Sequence, residues 1–339
     1  MVRELKEASF WKPLPGNRVR CELCPRGCQI PENGWGFCRT RQNLKGKLYT
    51  AVYGLVCAIN PDPIEKKPIF HFAPGSLSLS FSTTGCNLRC RFCQNFEISQ
   101  SEPFGQEMPP ERIVELAVEK EIPGIAYTYT EPTVFFEFAL DTMKLAKKEK
   151  LYNVWVSNGF TSPEAIKRAG RYLDAINVDL KGDLKFYQEL CGIPSEKPVY
   201  RALKAWREEG VWIELTNLLI PGWNDGDQQI RKLVGWIKRN LGPDTPLHFS
   251  RFFPYYLMQD HQPTPLERLD SAYRIARDLG MKWVYVGNVP GHQAESTYCP
   301  ECGNLLIERT GYITRVVSTR CECGVKLPLR GRKWMRRSS

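Results

Sequence analysis

The stretch "GCNLRCRFCQN", residues 85–95, carries three cysteines, Cys86, Cys90 and Cys93, in a C-x3-C-x2-C spacing. Three thiolates on one short loop leave a tetrahedral metal site one ligand short. The fourth ligand is either a remote cysteine, with Cys57 and Cys191 as the candidates, or a group that the protein does not supply. Cysteine thiolates hold iron–sulfur clusters, and spacings of three and two residues let one loop wrap three corners of a four-iron cubane. An open fourth iron would make the site catalytic rather than structural.

The loop is one of several cysteine groups. Thirteen cysteines stand in a 339-residue chain, in groups at 21–38, 86–93 and 299–323, with Cys57 and Cys191 alone. The N-terminus "MVRELKEASFWKPLPGN" is charged and lacks an apolar leader, and no run approaches the ~18 apolar residues of a membrane helix. The chain therefore reads as cytosolic with no membrane partner, where cysteines serve metals and redox chemistry more than disulfide frameworks.

Outward from the loop, residues 76–290 alternate β-rich runs with amphipathic stretches. The strand candidates are "SLSLSFST", "GIAYTYT", "YNVWVSN", "AINVDL", "WIELTNLL" and "LHFSRFF". Between them lie helical patterns that open on Pro or Ser-Pro followed by an early acid, as in "SPEAIKRAG". Six βα units in series predict an α/β fold, a partial (β/α)6 barrel with small cysteine-rich modules at each end. Chemistry in such folds gathers where the strands end. Those ends carry the cysteine loop, Glu131, Asn158, Asp179 with Lys181, Asn217, and Arg251. His248 and His292 also lie near strand ends. Asn217, His248 and Arg251 are taken as candidates for the substrate side, although a lone histidine is more often structural. We divide the chain into residues 1–50, a cysteine-rich metal-binding segment; 51–290, the catalytic core; 291–325, a ribbon-like module; and 326–339, a basic tail.

The loop, with Phe92 before its last cysteine, resembles that of radical S-adenosylmethionine (SAM) enzymes. The resemblance implies a 4Fe-4S cluster on Cys86, Cys90 and Cys93, with the amino and carboxylate groups of SAM on the unique iron. It further implies reductive cleavage of SAM to methionine and a 5′-deoxyadenosyl radical that abstracts hydrogen, at the expense of a ferredoxin- or flavodoxin-like one-electron donor. Where the family has Gly-Gly-Glu-Pro, this chain has Tyr129, Thr130, Glu131 and Pro132, keeping the acid and losing both glycines. "VSNG" (Ser157, Asn158) and "DLK" (Asp179, Lys181) resemble SAM-contacting elements of glycyl-radical-activating enzymes, with Asp179 toward the ribose and Lys181 toward the carboxylate. Phe92, Tyr129, Thr130 and Glu131 complete the SAM candidates.

The first cysteine group, Cys21, Cys24, Cys28 and Cys38, can close a site by itself, as an auxiliary iron–sulfur cluster or a structural zinc. Activases with extra clusters insert them after the SAM loop, which tilts this earlier group toward zinc or a structural role. The last, Cys299, Cys302, Cys321 and Cys323 across "LLIERTGYITRVVS", resembles a zinc ribbon, with C-x-C in place of the second C-x2-C. Together with "SRFFP" and "YVGNVPGHQAESTYCPECG", these groups resemble the AmmeMemoRadiSam-system radical SAM enzymes, homologues of pyruvate formate-lyase activating enzyme. That resemblance implies association with MEMO-like and AMMECR-type proteins. Net charge is +10, of which residues 299–339 supply +6. The tail "LRGRKWMRRSS" thus reads as a solvated basic arm or a nucleic-acid contact. Three functions follow: hydrogen abstraction from a protein, modification of RNA, or a non-enzymatic metal-binding scaffold.

Overall fold

The structure, a computed structural model, describes residues 5–335. Its centre is one eight-stranded sheet: β1 (Ala58–Pro63), β2 (Leu77–Ser82), β3 (Gly124–Tyr127), β4 (Tyr152–Ser157), β5 (Ala175–Asp179), β6 (Trp212–Leu219), β7 (Leu247–Arg251) and β8 (Val284–Gly287). The strands lie in chain order. β1 is antiparallel to β2, and every later pair is parallel. Helices α1 (Pro110–Glu119), α2 (Phe136–Lys148), α3 (Pro163–Gly170), α4 (Leu184–Cys191), α5 (Lys197–Glu208), α6 (Asp227–Asn240) and α7 (Leu266–Asp278) fill the crossovers. β3, "GIAY", is buried throughout, as a strand covered on both faces must be. α6 buries Ile230, Leu233, Val234 and Ile237, the i, i+3, i+4, i+7 stripe of a helix lying on a sheet.

Six βα units are legible in the sequence, and the parallel sheet has one strand more. β8 is four residues long and runs straight into Asn-Val-Pro-Gly, too short for a periodicity to register. β1 carries Pro61 and Pro63, which argue against a strand interior but are tolerated at a sheet edge.

The segment before the sheet forms two small antiparallel sheets, Trp11–Leu14 with Arg18–Cys21 and Gln29–Ile30, and Lys6–Glu7 with Arg41–Leu44 and Lys47–Thr50. Val19, Leu23, Ile30 and Leu48 join the same apolar core as the large sheet. Arg41 anchors the junction: both it and Glu137 on α2 are buried, 2.6 Å apart, and Arg41 also donates to the Ser9 carbonyl.

At the end where the strands begin, residues 64–73 close the sheet's concave side. Glu214 on β6 accepts hydrogen bonds from the backbone N–H groups of Phe70 (2.9 Å) and His71 (2.7 Å), from Trp212 Nε1, and pairs with His248 Nε2 at 3.0 Å. His248 is thereby placed. It is the second residue of β7, buried against Phe70 and stacked on Tyr285, so it belongs to this closure and not to the substrate side. The C-terminal ribbon, Thr297–Tyr298, Leu305–Thr310 and Ile313–Val316, covers the closure from below. Its buried Arg309 donates to the Phe70 carbonyl at 2.9 Å and lies 3.7 Å from Glu65.

The tail, read from sequence as a solvated basic arm or a nucleic-acid contact, packs its apolar side chains as far as it is described and leaves Lys326, Arg330, Arg332 and Lys333 exposed. Leu327 and Leu329 are buried, and Arg330 pairs through its backbone with His71 and Ala73. Trp334 sits edge-on to Tyr152 and bonds the Lys150 carbonyl. Arg336 and Arg337 lie outside the described residues. Among the described residues no helix is long and apolar enough to cross a membrane.

His71 gives this closure a pH dependence. Burial, outweighing the attraction of Glu214, pushes its imidazole down to about 3. An unfolded chain takes up that proton near 6.5, so below this pH the unfolded state holds more protons and stability falls as pH drops toward 3. Thermal unfolding should show a loss of about 2 kcal/mol between pH 6.5 and about pH 5, reduced in His71→Asn; a flat profile would contradict the assignment.

Candidate active site

The three-cysteine loop leaves the carboxyl end of β2 through Gly85, whose φ is +95° and where a Cβ would sit 2.3 Å from Thr40 Cγ2 and 2.6 Å from the Cys38 carbonyl. Only glycine lets the chain turn this close to the N-terminal segment. The thiols are held from several sides. Cys86 Sγ is 3.4 Å from the Leu88 N–H and 3.7 Å from Asn158 Nδ2, and Cys93 Sγ is 3.3 Å from the Ser99 hydroxyl. Burial pushes the Cys86 and Cys93 thiols up, and contact with Cys191, ahead of burial, does the same for Cys90.

The two remote candidates for a fourth ligand separate. Cys57 is occupied with Ser82, 3.3 Å from its hydroxyl. Cys191, buried at the end of α4, adjoins Cys90 and accepts the Arg89 N–H on its carbonyl at 3.0 Å. Its thiol lies beside that of Cys90 and raises it.

Glu131 begins the turn after β3 and is buried. Its Oε1 accepts from Thr133 N (3.0 Å), the Thr133 hydroxyl (2.6 Å) and the Ser157 hydroxyl (2.9 Å), and its Oε2 accepts from Asn158 N (2.8 Å). Burial raises its carboxyl against the pull of these donors. Asn158 passes the link on, donating to Asn87 Oδ1 at 2.9 Å beside Cys86. Tyr129 takes the left-handed conformation, φ +60°, that the first glycine of Gly-Gly-Glu-Pro adopts without strain. Its hydroxyl is held by Asp62 at 2.5 Å and its carbonyl by Asn95 Nδ2 at 2.8 Å. Thr130 donates to the Thr83 carbonyl at 2.8 Å.

Across the loop, Lys181 Nζ lies 2.8 Å from Asp179 Oδ2 and 5.6 Å from the Phe92 ring centre. Burial works against its charge, but the Asp179 carboxylate outweighs it and keeps the ammonium protonated. The Asp179–Lys181 turn is clamped by Asn217, which donates to the Leu180 and Lys181 carbonyls, and by Asn224, which donates to Lys181 at 2.6 Å. Asn224 escapes sequence reading because Pro-Gly-Trp-Asn is ordinary turn composition; so does Asn87, hidden between two cysteines.

Cys86, Cys90, Cys93, Phe92, Glu131, Ser157, Asn158, Asp179, Lys181 and Asn217 thus share the carboxyl edge of the sheet. Arg251 ends β7 on the same edge but donates to the Thr264 carbonyl. His292, which follows β8, is taken up by Asp270 at 3.0 Å. The group can hold an iron–sulfur cluster and SAM: one loop carries three thiols at the strand ends, and two buried polar atoms nearby, Asn217 Oδ1 and Thr84 Oγ1, have no partner.

The structure is a parallel sheet with three thiols on the loop after its first parallel strand and charged groups on the strand ends that follow. Residues 80–234 match the radical SAM superfamily. The chain is 45% identical over 334 residues to an uncharacterized protein of Methanocaldococcus jannaschii, covering 96% of this chain and 99% of the other. It is 24% identical over 163 residues to a pyruvate formate-lyase-activating enzyme of Clostridium pasteurianum, covering 45% of this chain and 66% of that enzyme. A radical SAM methyltransferase from Sphaerobacter thermophilus shares the fold, with TM-score 0.52 and 17% identity over 68% of this chain and 71% of that one. The chain belongs to the radical SAM superfamily, whose fold implies a 4Fe-4S cluster and SAM.

Elsewhere, Cys299, Cys302, Cys321 and Cys323 bring their sulfurs within 4.8 Å of one another, a cluster that can bind a metal.

If Cys191 is a neighbour and not a ligand, Cys191→Ala should retain about four irons at the Cys86–Cys93 site and an electron paramagnetic resonance (EPR) signal that SAM alters. Loss of the cluster from a folded Cys191→Ala protein would make Cys191 the fourth ligand.

Proposed function

We propose that this protein is a radical SAM enzyme that abstracts hydrogen from a polypeptide, in the manner of a glycyl-radical activase. The bound cluster would supply one electron to the SAM sulfonium, giving methionine and the 5′-deoxyadenosyl radical. The chain's own groups do the rest. Cys86, Cys90 and Cys93 would hold the cluster through three of its irons, and the SAM amino and carboxylate groups would take the position left open. Lys181, kept charged, would neutralise the carboxylate; Asp179, half exposed with one oxygen on Lys181, would take ribose hydroxyls. The free lone pairs on Glu131 Oε2 and the turn at Tyr129 and Thr130 would take the ammonium, and Ser157 and Asn158 fix Glu131 against the cluster loop.

The observation that carries a polypeptide substrate is an apolar patch at the site's mouth. After β7 the chain doubles back over the cluster loop: Leu257 N–H bonds the Arg91 carbonyl at 2.9 Å, and Tyr256 stacks on Phe96 at 4.3 Å. This leaves Phe253, Tyr255 and Leu257 between 40% and 55% exposed, and large apolar side chains exposed close together along one segment suit a protein surface. In the described part of the tail the basic side chains are exposed, but Trp334 is packed on Tyr152 and unavailable for base stacking, so RNA is the less favoured substrate.

Resemblance across the flanking modules supports a place among AmmeMemoRadiSam-system enzymes, with MEMO-like and AMMECR-type proteins as partners and a ferredoxin- or flavodoxin-like donor, in the cytoplasm. The C-terminal quartet fits zinc. Its Cys299–Cys323 and Cys302–Cys321 sulfur distances are 3.5 and 3.3 Å, near the ~3.8 Å that tetrahedral Zn–S bonds of about 2.3 Å impose.

Anaerobically reconstituted and reduced protein should form 5′-deoxyadenosine from SAM, and Cys90→Ala should form none. Tyr255→Asp/Leu257→Asp should keep this uncoupled cleavage within about twofold, since neither side chain belongs to the proposed SAM contacts and uniform binding of a partner does not alter the cleavage step, while losing affinity for an AMMECR-type or MEMO-like protein. No 5′-deoxyadenosine from a fully loaded, reduced protein would favour the scaffold reading.

A further inference from the structure

Cys21, Cys24, Cys28 and Cys38 take no part in the site just described. All four line one small recessed cavity of about 20 Å3, shared with Arg41 and Asn87. The C-x2-C-x3-C spacing of the first three is the reverse of the C-x3-C-x2-C spacing of Cys86–Cys93. A loop of the same reach therefore covers three corners of a cubane, and Cys38 supplies the corner that the SAM loop lacks.

The sulfur positions separate a cluster from a single ion. One zinc draws four sulfurs to about 3.8 Å from each other. Among the described residues only the C-terminal quartet gathers its ligand atoms within 4.8 Å; the sulfurs of the N-terminal quartet stand further apart around open space. A cubane requires this, because each thiolate binds a different iron.

The cavity backs directly onto the SAM loop. The Cys38 carbonyl packs against Gly85, and Arg26 Nη2 donates to the Asn87 carbonyl at 2.9 Å. The Phe37 ring lies between the guanidinium groups of Arg26 (3.5 Å) and Arg89 (4.2 Å). Cys38 thus meets the residue next to Cys86 through its own carbonyl.

We propose that Cys21, Cys24, Cys28 and Cys38 bind a second four-iron cluster, closed by four thiolates and set back to back with the SAM-binding site. With every iron ligated it offers no position to substrate. It accepts one electron from a reduced donor protein and releases that same electron, with no bond made or broken. The assignment stands whether or not the substrate is a polypeptide.

The test uses the full chain. With Cys86, Cys90 and Cys93 all replaced by Ala, anaerobic reconstitution with iron and sulfide should leave about four irons per chain and a reduced EPR signal that SAM does not change. In the otherwise intact chain, Cys24→Ser/Cys28→Ser should lose about half of the iron and keep a SAM-sensitive signal, whereas Cys302→Ser/Cys323→Ser should keep all of the iron. Zinc without iron in the triple variant, or undiminished iron in Cys24→Ser/Cys28→Ser, would overturn the proposal. An iron content near two in the triple variant would overturn the four-iron assignment.

Discussion

Glu131 is buried at the end of β3, and its carboxylate takes four hydrogen bonds from groups that would otherwise belong to separate elements. Ser157 and Asn158 come from β4, and Thr133 from the turn into α2. A buried carboxylate is tolerated only when donors replace its water, so these positions are fixed together. Asn158 then reaches Asn87 and Cys86, which sets the cysteine loop against the strand ends. The acid that the family resemblance assigns to SAM is therefore also the tie that shapes the site, and its remaining lone pairs are all it can offer a ligand.

Glu214 does the corresponding work at the opposite end. It gathers Phe70, His71, Trp212 and His248 and seats residues 64–73 beneath the sheet, where Arg309 of the ribbon and the C-terminal strap lock them. One end is closed by a dense buried network. The other keeps thiols, an ammonium and unpartnered acceptors at its edge, so the chemistry is confined to one side.

The βα order was legible because buried parallel strands are apolar runs and the helices between them carry caps and 3.6-residue stripes. The loop at 86–93 and the Asp179–Lys181 turn were legible because their residue types have few structural uses at such spacing. β1 and β8 were not, one masked by its prolines and the other by its length. His248 misleads because nearness to a strand end in sequence does not say which end; its partner Glu214 lies on another strand. Tyr129 shows the reverse case, a backbone shape normally announced by glycine but here imposed on a tyrosine by Asp62 and Asn95. Trp334 was taken for an arm's aromatic because only the fold brings Tyr152 beneath it.

The central claim is that the Cys86–Cys93 cluster has one iron open to SAM. Electron–nuclear double resonance on reconstituted, reduced protein with SAM labelled in its amino nitrogen and carboxylate oxygen tests it most directly. The account predicts hyperfine coupling to both labels, lost in Cys93→Ala. A cluster that forms fully yet gives the same spectrum with and without SAM would mean that the protein supplies the fourth ligand, and the account would be wrong.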